Sequence, residues 1–334
     1  MNCLRLATLL IVVWQPVTAL AAEPAAADEI NRRLGRGINF GNALEAPREG
    51  EWGFRIEDRY FDDVKQAGFD TIRLPVRWSA HALPEAPFTI DAGFFERVDQ
   101  IVDQALKRDL NLVLNIHHYE ELYTKPDEQE ARFLALWRQI AERYADRSDR
   151  LVFELLNEPR DPLSADRWNT LFPKALAVVR ESNPTRAVIV GPGNWNNIMA
   201  LSVLELPEDE HLIVTIHYYS PFQFTHQGAS WAEGSDRWLG TTWGDERDRE
   251  AVRSDLEKAA AWAKEHKRPL FLGEFGAYSK ADMDSRAKWT SFVRSEAERL
   301  GMSWAYWEFG SGFGAFDPET NSWRRPLKDA LLGN

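Results

Sequence analysis

Eight short apolar runs recur along the chain, each broken by polar residues. Between them lie stretches whose apolar positions return every three or four residues. Apolar runs of four to eight residues read as strands buried on both faces of a parallel sheet. They fall at 37–40, 71–76, 110–116, 151–156, 187–190, 212–216, 270–273 and 303–307. The three-to-four spacing marks amphipathic helices packed on that sheet, at 56–67, 94–107, 128–144, 165–181, 248–265 and 285–300. A fifth helix near 197–204 is weakly patterned, and the eighth, 326–332, is short. This alternation predicts an α/β fold, a single-domain (β/α)8 TIM barrel. A doubly wound open sheet would place G-x-G-x-x-G after its first strand, and Gly37-Ile-Asn-Phe-Gly-Asn42 lacks that spacing.

The first residues stand apart from this pattern. Arg5 precedes an apolar stretch, 7–14, too short to span a bilayer, and Ala19-Leu20-Ala21 offers the small-x-small pattern of a cleavage site. Residues 1–21 therefore read as a signal peptide, 22–28 as a disordered leader and 29–334 as the catalytic barrel. Export to the medium or the periplasm is expected, with no membrane association after cleavage. Cys3, the single cysteine, leaves with the signal peptide, so the mature chain is expected to hold no disulfide. No linker or appended module is visible, and the mature protein is expected to be a monomer.

A net charge of −12 argues against nucleic acid or anionic lipid as partner, since both need basic patches. Fourteen tryptophans exceed what a core of this size requires. Indole faces stack on the apolar faces of sugar rings, so part of that surplus points to carbohydrate and part to ordinary core packing.

The residues at the C-terminal end of each predicted strand are the most informative feature. These ends carry Asn42 and Glu45, then His117-His118-Tyr119, Asn157-Glu158-Pro159, His217-Tyr218-Tyr219, Glu274 and Trp307-Glu308, while Arg73 lies within the second strand. If the barrel closes, these groups meet at its C-terminal mouth, where barrel chemistry is sited. Glu158 and Glu274 are the pair suited to cleaving an acetal: one acid protonates the leaving oxygen and one carboxylate works on the opposite face of the sugar. Arg73 would keep the nucleophile ionised, Tyr219 could hydrogen-bond the same carboxylate, and the acid is expected to hold its proton more tightly than its partner. Glu308 reads as a structural hydrogen-bonding group. No metal or other cofactor is expected.

Gly-Ile-Asn-Phe-Gly-Asn (37–42), Ile-Arg-Leu-Pro (72–75), Asn-Ile-His-His-Tyr (115–119), Leu-Asn-Glu-Pro (156–159), His-Tyr-Tyr (217–219), Gly-Glu-Phe-Gly (273–276) and Trp-Ala-Tyr-Trp-Glu (304–308) together resemble glycoside hydrolase family 5. The resemblance implies a retaining glycosidase with Glu158 as acid/base and Glu274 as nucleophile. It also implies Asn157 on the sugar 2-hydroxyl, Arg73 and Tyr219 beside the nucleophile, His117 and His217 lining the site, and Trp307 under the sugar. Asn42-Ala-Leu-Glu45 and Tyr219-Ser-Pro-Phe-Gln-Phe-Thr-His226-Gln-Gly-Ala-Ser-Trp231 are similar to a branch of bacterial endoglucanases that act on β-1,4-glucan and β-1,4-mannan. That likeness places Asn42, Glu45, His118, His226 and Trp231 around a β-linked polysaccharide or oligosaccharide. An endo-β-1,4-glucanase is expected; a mannanase or xyloglucanase of the same family is the alternative.

Two other classes fit less well. A metal-dependent amidohydrolase needs His-x-His on the first strand, where this chain has Asn39 and Asn42. A catalytically silent sugar-binding protein would be expected to lack one carboxylate, and both are present. The segment 220–244, with Phe222, Phe224, Trp231, Trp238 and Trp243, is long for a barrel connection and reads as one wall of an open cleft.

Overall fold

The computed structural model describes residues 26–333; the predicted signal peptide and residues 22–25 of the leader lie outside them. Eight parallel strands close into a barrel in sequence order: β1 Arg36–Asn39, β2 Thr71–Leu74, β3 Asn111–Asn115, β4 Leu151–Glu154, β5 Val188–Val190, β6 Leu212–Tyr218, β7 Leu270–Phe275 and β8 Ser303–Tyr306. Strand β1 pairs with β8 to complete the ring. Helices such as Ala92–Leu106, Pro126–Arg143, Ala165–Ser182 and Glu246–His266 cover the outside. No helix of the described residues is long and apolar enough to cross a membrane.

Period-two alternation sorts the strand residues. Ile72, Leu74, Leu112, Leu114, Leu212, Val214 and Ile216 face outward into the large cluster shared with the helices. Val113, Val152, Ile189, Ile213 and Phe271 belong to a second cluster that fills the barrel. Two residues further along the same faces come the polar positions Asn115 and Glu154, with Asn39 and Arg73 beside them on β1 and β2, all fully buried. The fold thus stacks an apolar layer below a charged one.

Strand β7 breaks the alternation. Its register against β6 slips by one residue between Ile216 and His217, so that His217 pairs with Glu274. Phe271 faces the interior, and an unbroken strand would turn Glu274 outward. The slip turns it inward instead, the usual effect of a bulge beside a site. Gly273 permits it: a Cβ there would fall 2.6 Å from Thr215 Oγ1 and 3.1 Å from His217 Nε2.

The expected leader is corrected at its end. Residues 26–28 belong to the helix Ala26–Leu34, which closes the barrel floor. Ala27, Ile30 and Leu34 join the interior cluster, while Asn31 donates to Leu270 O at 3.0 Å and accepts from Ser303 Oγ at 2.6 Å. A helix this short gains its order from burial of its apolar face, which composition alone does not reveal.

Candidate active site

Glu154, Arg73 and Glu274 form the base of the site. Arg73 is fully buried at the end of β2. It donates to both oxygens of Glu154 at 2.6 Å, to Asn39 Oδ1 at 2.9 Å, to Asn157 Oδ1 at 2.8 Å and to Glu274 Oε1 at 2.7 Å. Burial opposes its charge, but Glu154 and Glu274 outweigh burial and hold its pKa well above the ordinary value. Tyr219 donates to the other oxygen of Glu274 at 2.9 Å. Burial and the adjacent negative charge of Glu274 keep that phenol protonated far above its usual range.

Across the mouth, Glu158 follows β4 with a left-handed backbone (φ 45°), and Oε1 lies 2.8 Å from His217 Nδ1. One oxygen of Glu158, one of Glu274 and a ring nitrogen of His217 lie within 4.8 Å of one another. His217 Nδ1 is hydrogen-bonded to Glu158 and stands 3.5 Å from Glu274 Oε2, while Arg73 holds the other oxygen of Glu274. Burial pushes the Glu158 carboxyl up, yet the His217 hydrogen bond, with Arg160 and His118, brings it below the ordinary value. Burial pushes Glu274 up, the charge of Glu158 adds to this, and His217, Arg73 and Tyr219 offset only part of it. His217 bears on Glu158 more directly than on Glu274, at 2.8 Å against 3.5 Å.

The structure places the remaining predicted residues around this pair. Asn157 gives its oxygen to Arg73, which leaves its NH2 group for a ligand. His117 stacks on Trp307 at 5.7 Å and is held by Asn115 at 3.1 Å. Burial keeps His117 neutral and depresses His118 and His226 to about 4. His226 stacks on Phe222 at 4.0 Å and meets Tyr219 edge-on. Asn42, His118, Trp231 and Trp307 line the cleft with Glu158 and Glu274. Trp231 is 62% exposed, its edge against Tyr278. In the segment 220–244, Phe224 and Trp243 turn inward and join the large cluster, packing on Trp289 and Phe292, while Phe222 and Trp231 face the cleft.

Glu45 is a correction. It is fully buried and off the cleft; both its oxygens accept backbone N–H groups of the turn, from Asn42 and, at 3.0 Å, from Ala43. Burial, aided by Glu308, pushes its carboxyl up to about 8 against those bonds. Its place is beneath Asn42, shaping the turn that presents that residue. Glu308 is structural as expected, accepting from the backbone of Gly310, Ser311 and Phe313 at 2.8–3.0 Å.

Sequence reasoning misses Glu154 and Asn39, each of which holds Arg73. A signal exists for Glu154: a carboxylate inside the run Leu151-Val-Phe-Glu154 must be buried, and a buried charge needs a partner.

The cleft has two lobes of about 700 Å³ each, and Glu158, Tyr219, His226 and Trp231 line both. The model of the family described as Cellulase (glycosyl hydrolase family 5) matches residues 36–312. The chain belongs to glycosyl hydrolase family 5. Within the family, it is 36% identical over 313 residues to Endoglucanase H of Acetivibrio thermocellus, covering 93% of this chain and a third (33%) of that protein. Endoglucanase A of Ruminococcus albus is 31% identical, with 92% of each chain covered. Among solved structures, Thermotoga maritima Cel5A in complex with cellobiose is similar at a TM-score of 0.91 and 51% identity, over 92% of this chain and 100% of that one. The same enzyme in complex with mannotriose gives 0.91 and 50% over the same shares. In these family terms Glu158 and Glu274 occupy the strand-end positions that the motifs assigned to the two catalytic glutamates.

Proposed function

We propose that the protein hydrolyses internal β-1,4 bonds of β-glucan with retention of configuration, Glu274 acting as nucleophile and Glu158 as acid and then base. The observation that carries this reading is the separation of the two carboxylates. Oxygens within 4.8 Å fit the roughly 5–5.5 Å spacing of retaining enzymes and fall short of the roughly 6.5–9.5 Å at which an inverting enzyme seats its attacking water beside the sugar. Hydrogen bonds from Arg73 and Tyr219 to opposite oxygens of Glu274 aim that carboxylate and favour its charged form.

In the first half, Glu158 gives its proton to the glycosidic oxygen while Glu274 bonds to C1 and the aglycone leaves. In the second half, Glu158 takes a proton from water, whose oxygen replaces Glu274 at C1. A sugar chain lying between the acids excludes water from Glu158 and sets a neutral oxygen beside it, which favours the protonated form that the first half needs. Two open lobes meeting at Glu158 admit a chain that continues past the cut on both sides, which supports endo cleavage.

The mannotriose complex of the Thermotoga relative supports a second specificity toward mannan. We read the protein as secreted or periplasmic; the support is the apolar stretch 7–14 and Ala19-Leu20-Ala21. Parallel assays on carboxymethylcellulose, barley glucan, lichenan, galactomannan and xyloglucan test the proposal. Turnover of the glucans with mid-chain cuts is expected, and activity confined to galactomannan or xyloglucan would overturn the glucanase reading.

A further inference from the structure

Asn196 lies on the connection between β5 and β6, outside every motif of the predicted site, yet its side chain is wholly buried. Its Nδ2 is 3.3 Å from Nε2 of His217, whose Nδ1 in turn is 2.8 Å from Oε1 of Glu158. An amide NH2 donates and does not accept. In this orientation Nε2 is the acceptor, so the ring proton sits on Nδ1 and points at Glu158.

The loop is shaped around that contact. Asn194, Trp195 and Asn196 are successively left-handed, with φ of 56°, 60° and 53°. Such a run persists only where its surroundings hold it. Gly191 makes the space: a Cβ there would fall 2.5 Å from Asn196 Cγ. Asn196 Oδ1 is buried without a partner, so the side chain's single hydrogen bond among the described residues is the one to His217.

We propose, building on the hydrolase reading, that Asn196 is a positioning residue. Its amide fixes His217 as the Nδ1–H tautomer, and this N–H holds Glu158 as the carboxylate that takes the proton from water in the second half of the reaction. In that half the water oxygen bonds to C1 as the C1–O bond to Glu274 breaks. The electron pair returns to Glu274, and the water proton goes to Glu158. The other groups that face Glu158 are Arg160 and His118 from the loops after β4 and β3, Tyr123 from the short helix Glu120–Thr124, Tyr219 and His226 from the loop after β6, and Glu274 from β7. Among the described residues His217 is the one that hydrogen-bonds its carboxylate.

The test uses 2,4-dinitrophenyl β-cellobioside, whose leaving group departs without a proton, so the second half limits turnover. Asn196→Leu is expected to lower kcat by about ten-fold, a part of the 10²–10⁴ that acid–base catalysis contributes, with kcat/KM unchanged. Without its donor Glu158 protonates more readily, so the acid limb of the kcat–pH profile moves up by roughly half a unit. Azide, which attacks without a base, restores kcat. A kcat and acid limb superimposable on wild type would overturn the proposal. Ring ¹⁵N shifts of His217 in labelled wild-type protein give an answer that needs no variant to fold: the Nδ1–H tautomer supports the proposal and Nε2–H overturns it. A wild type that leaves the substrate intact would instead sink the hydrolase reading, while the ¹⁵N shifts would still report the tautomer.

Discussion

Arg73 grips Glu154 with two hydrogen bonds of 2.6 Å, both groups fully buried, and it is this grip that leaves one Nη1 aimed at Glu274. Glu154 touches no cleft; it acts by fixing where the guanidinium points. Removing one partner of a buried pair leaves an uncompensated charge and costs about 3–5 kcal/mol. Glu154→Ala is therefore expected to lower the melting temperature substantially and to reduce turnover through a misplaced Arg73. Calorimetry together with assays below the new transition checks both. A variant with unchanged stability would contradict the role given to the pair.

The roles proposed for Glu158 and Glu274 predict different responses to an external nucleophile. Glu158→Ala is expected to lose about 10²–10⁴ of kcat on unactivated glucan and to form a β-glycosyl azide when azide is added. Glu274→Ala should lose at least as much and yield the α-azide, because azide then attacks from the vacated face. Product NMR distinguishes the two, and exchanged outcomes would reverse the assignment.

Trp231 offers an exposed indole with little structural duty. Its replacement by alanine should leave the melting temperature within a degree or two and raise KM on polymeric substrate roughly ten-fold, the effect of about 1.5 kcal/mol of lost stacking. An unaltered KM would remove Trp231 from the substrate path.

Burial holds His118 and His226 at about 4. Their C2–H resonances are accordingly expected to stay at the neutral-imidazole position from pH 8 down to pH 5 and to move only below it. A midpoint near 6.5, the ordinary value for histidine, would show that both rings are more open to water than the structure has them.

The strands are legible in the sequence because buried parallel strands are almost purely apolar, and their ends are not, for the same reason. The apolar pattern stops β6 and β7 at Ile216 and Gly273, where the polar residues begin. The ladder in fact runs on through His217, Tyr218, Glu274 and Phe275, carrying His217 and Glu274 inside the sheet. Conversely, β4 ends at Glu154 and not at Leu156. Motif residues at strand ends announce most of the site, since type and position both point to the mouth. Asn196 and Glu154 are silent because their meaning is relational: one matters through His217, the other through Arg73, and neither spacing reveals a contact made across the barrel. Glu45 misleads because a carboxylate beside a cleft residue in sequence can face the turn beneath it in space.

The most direct test of the account is the anomeric configuration of the first-formed product, observed by proton NMR during hydrolysis of cellopentaose. Attack by Glu274 from within 4.8 Å of Glu158 predicts that the β-anomer appears first and mutarotates to the α-anomer only later. Initial release of the α-anomer would mean that water and not Glu274 attacks the sugar, and would contradict the double displacement.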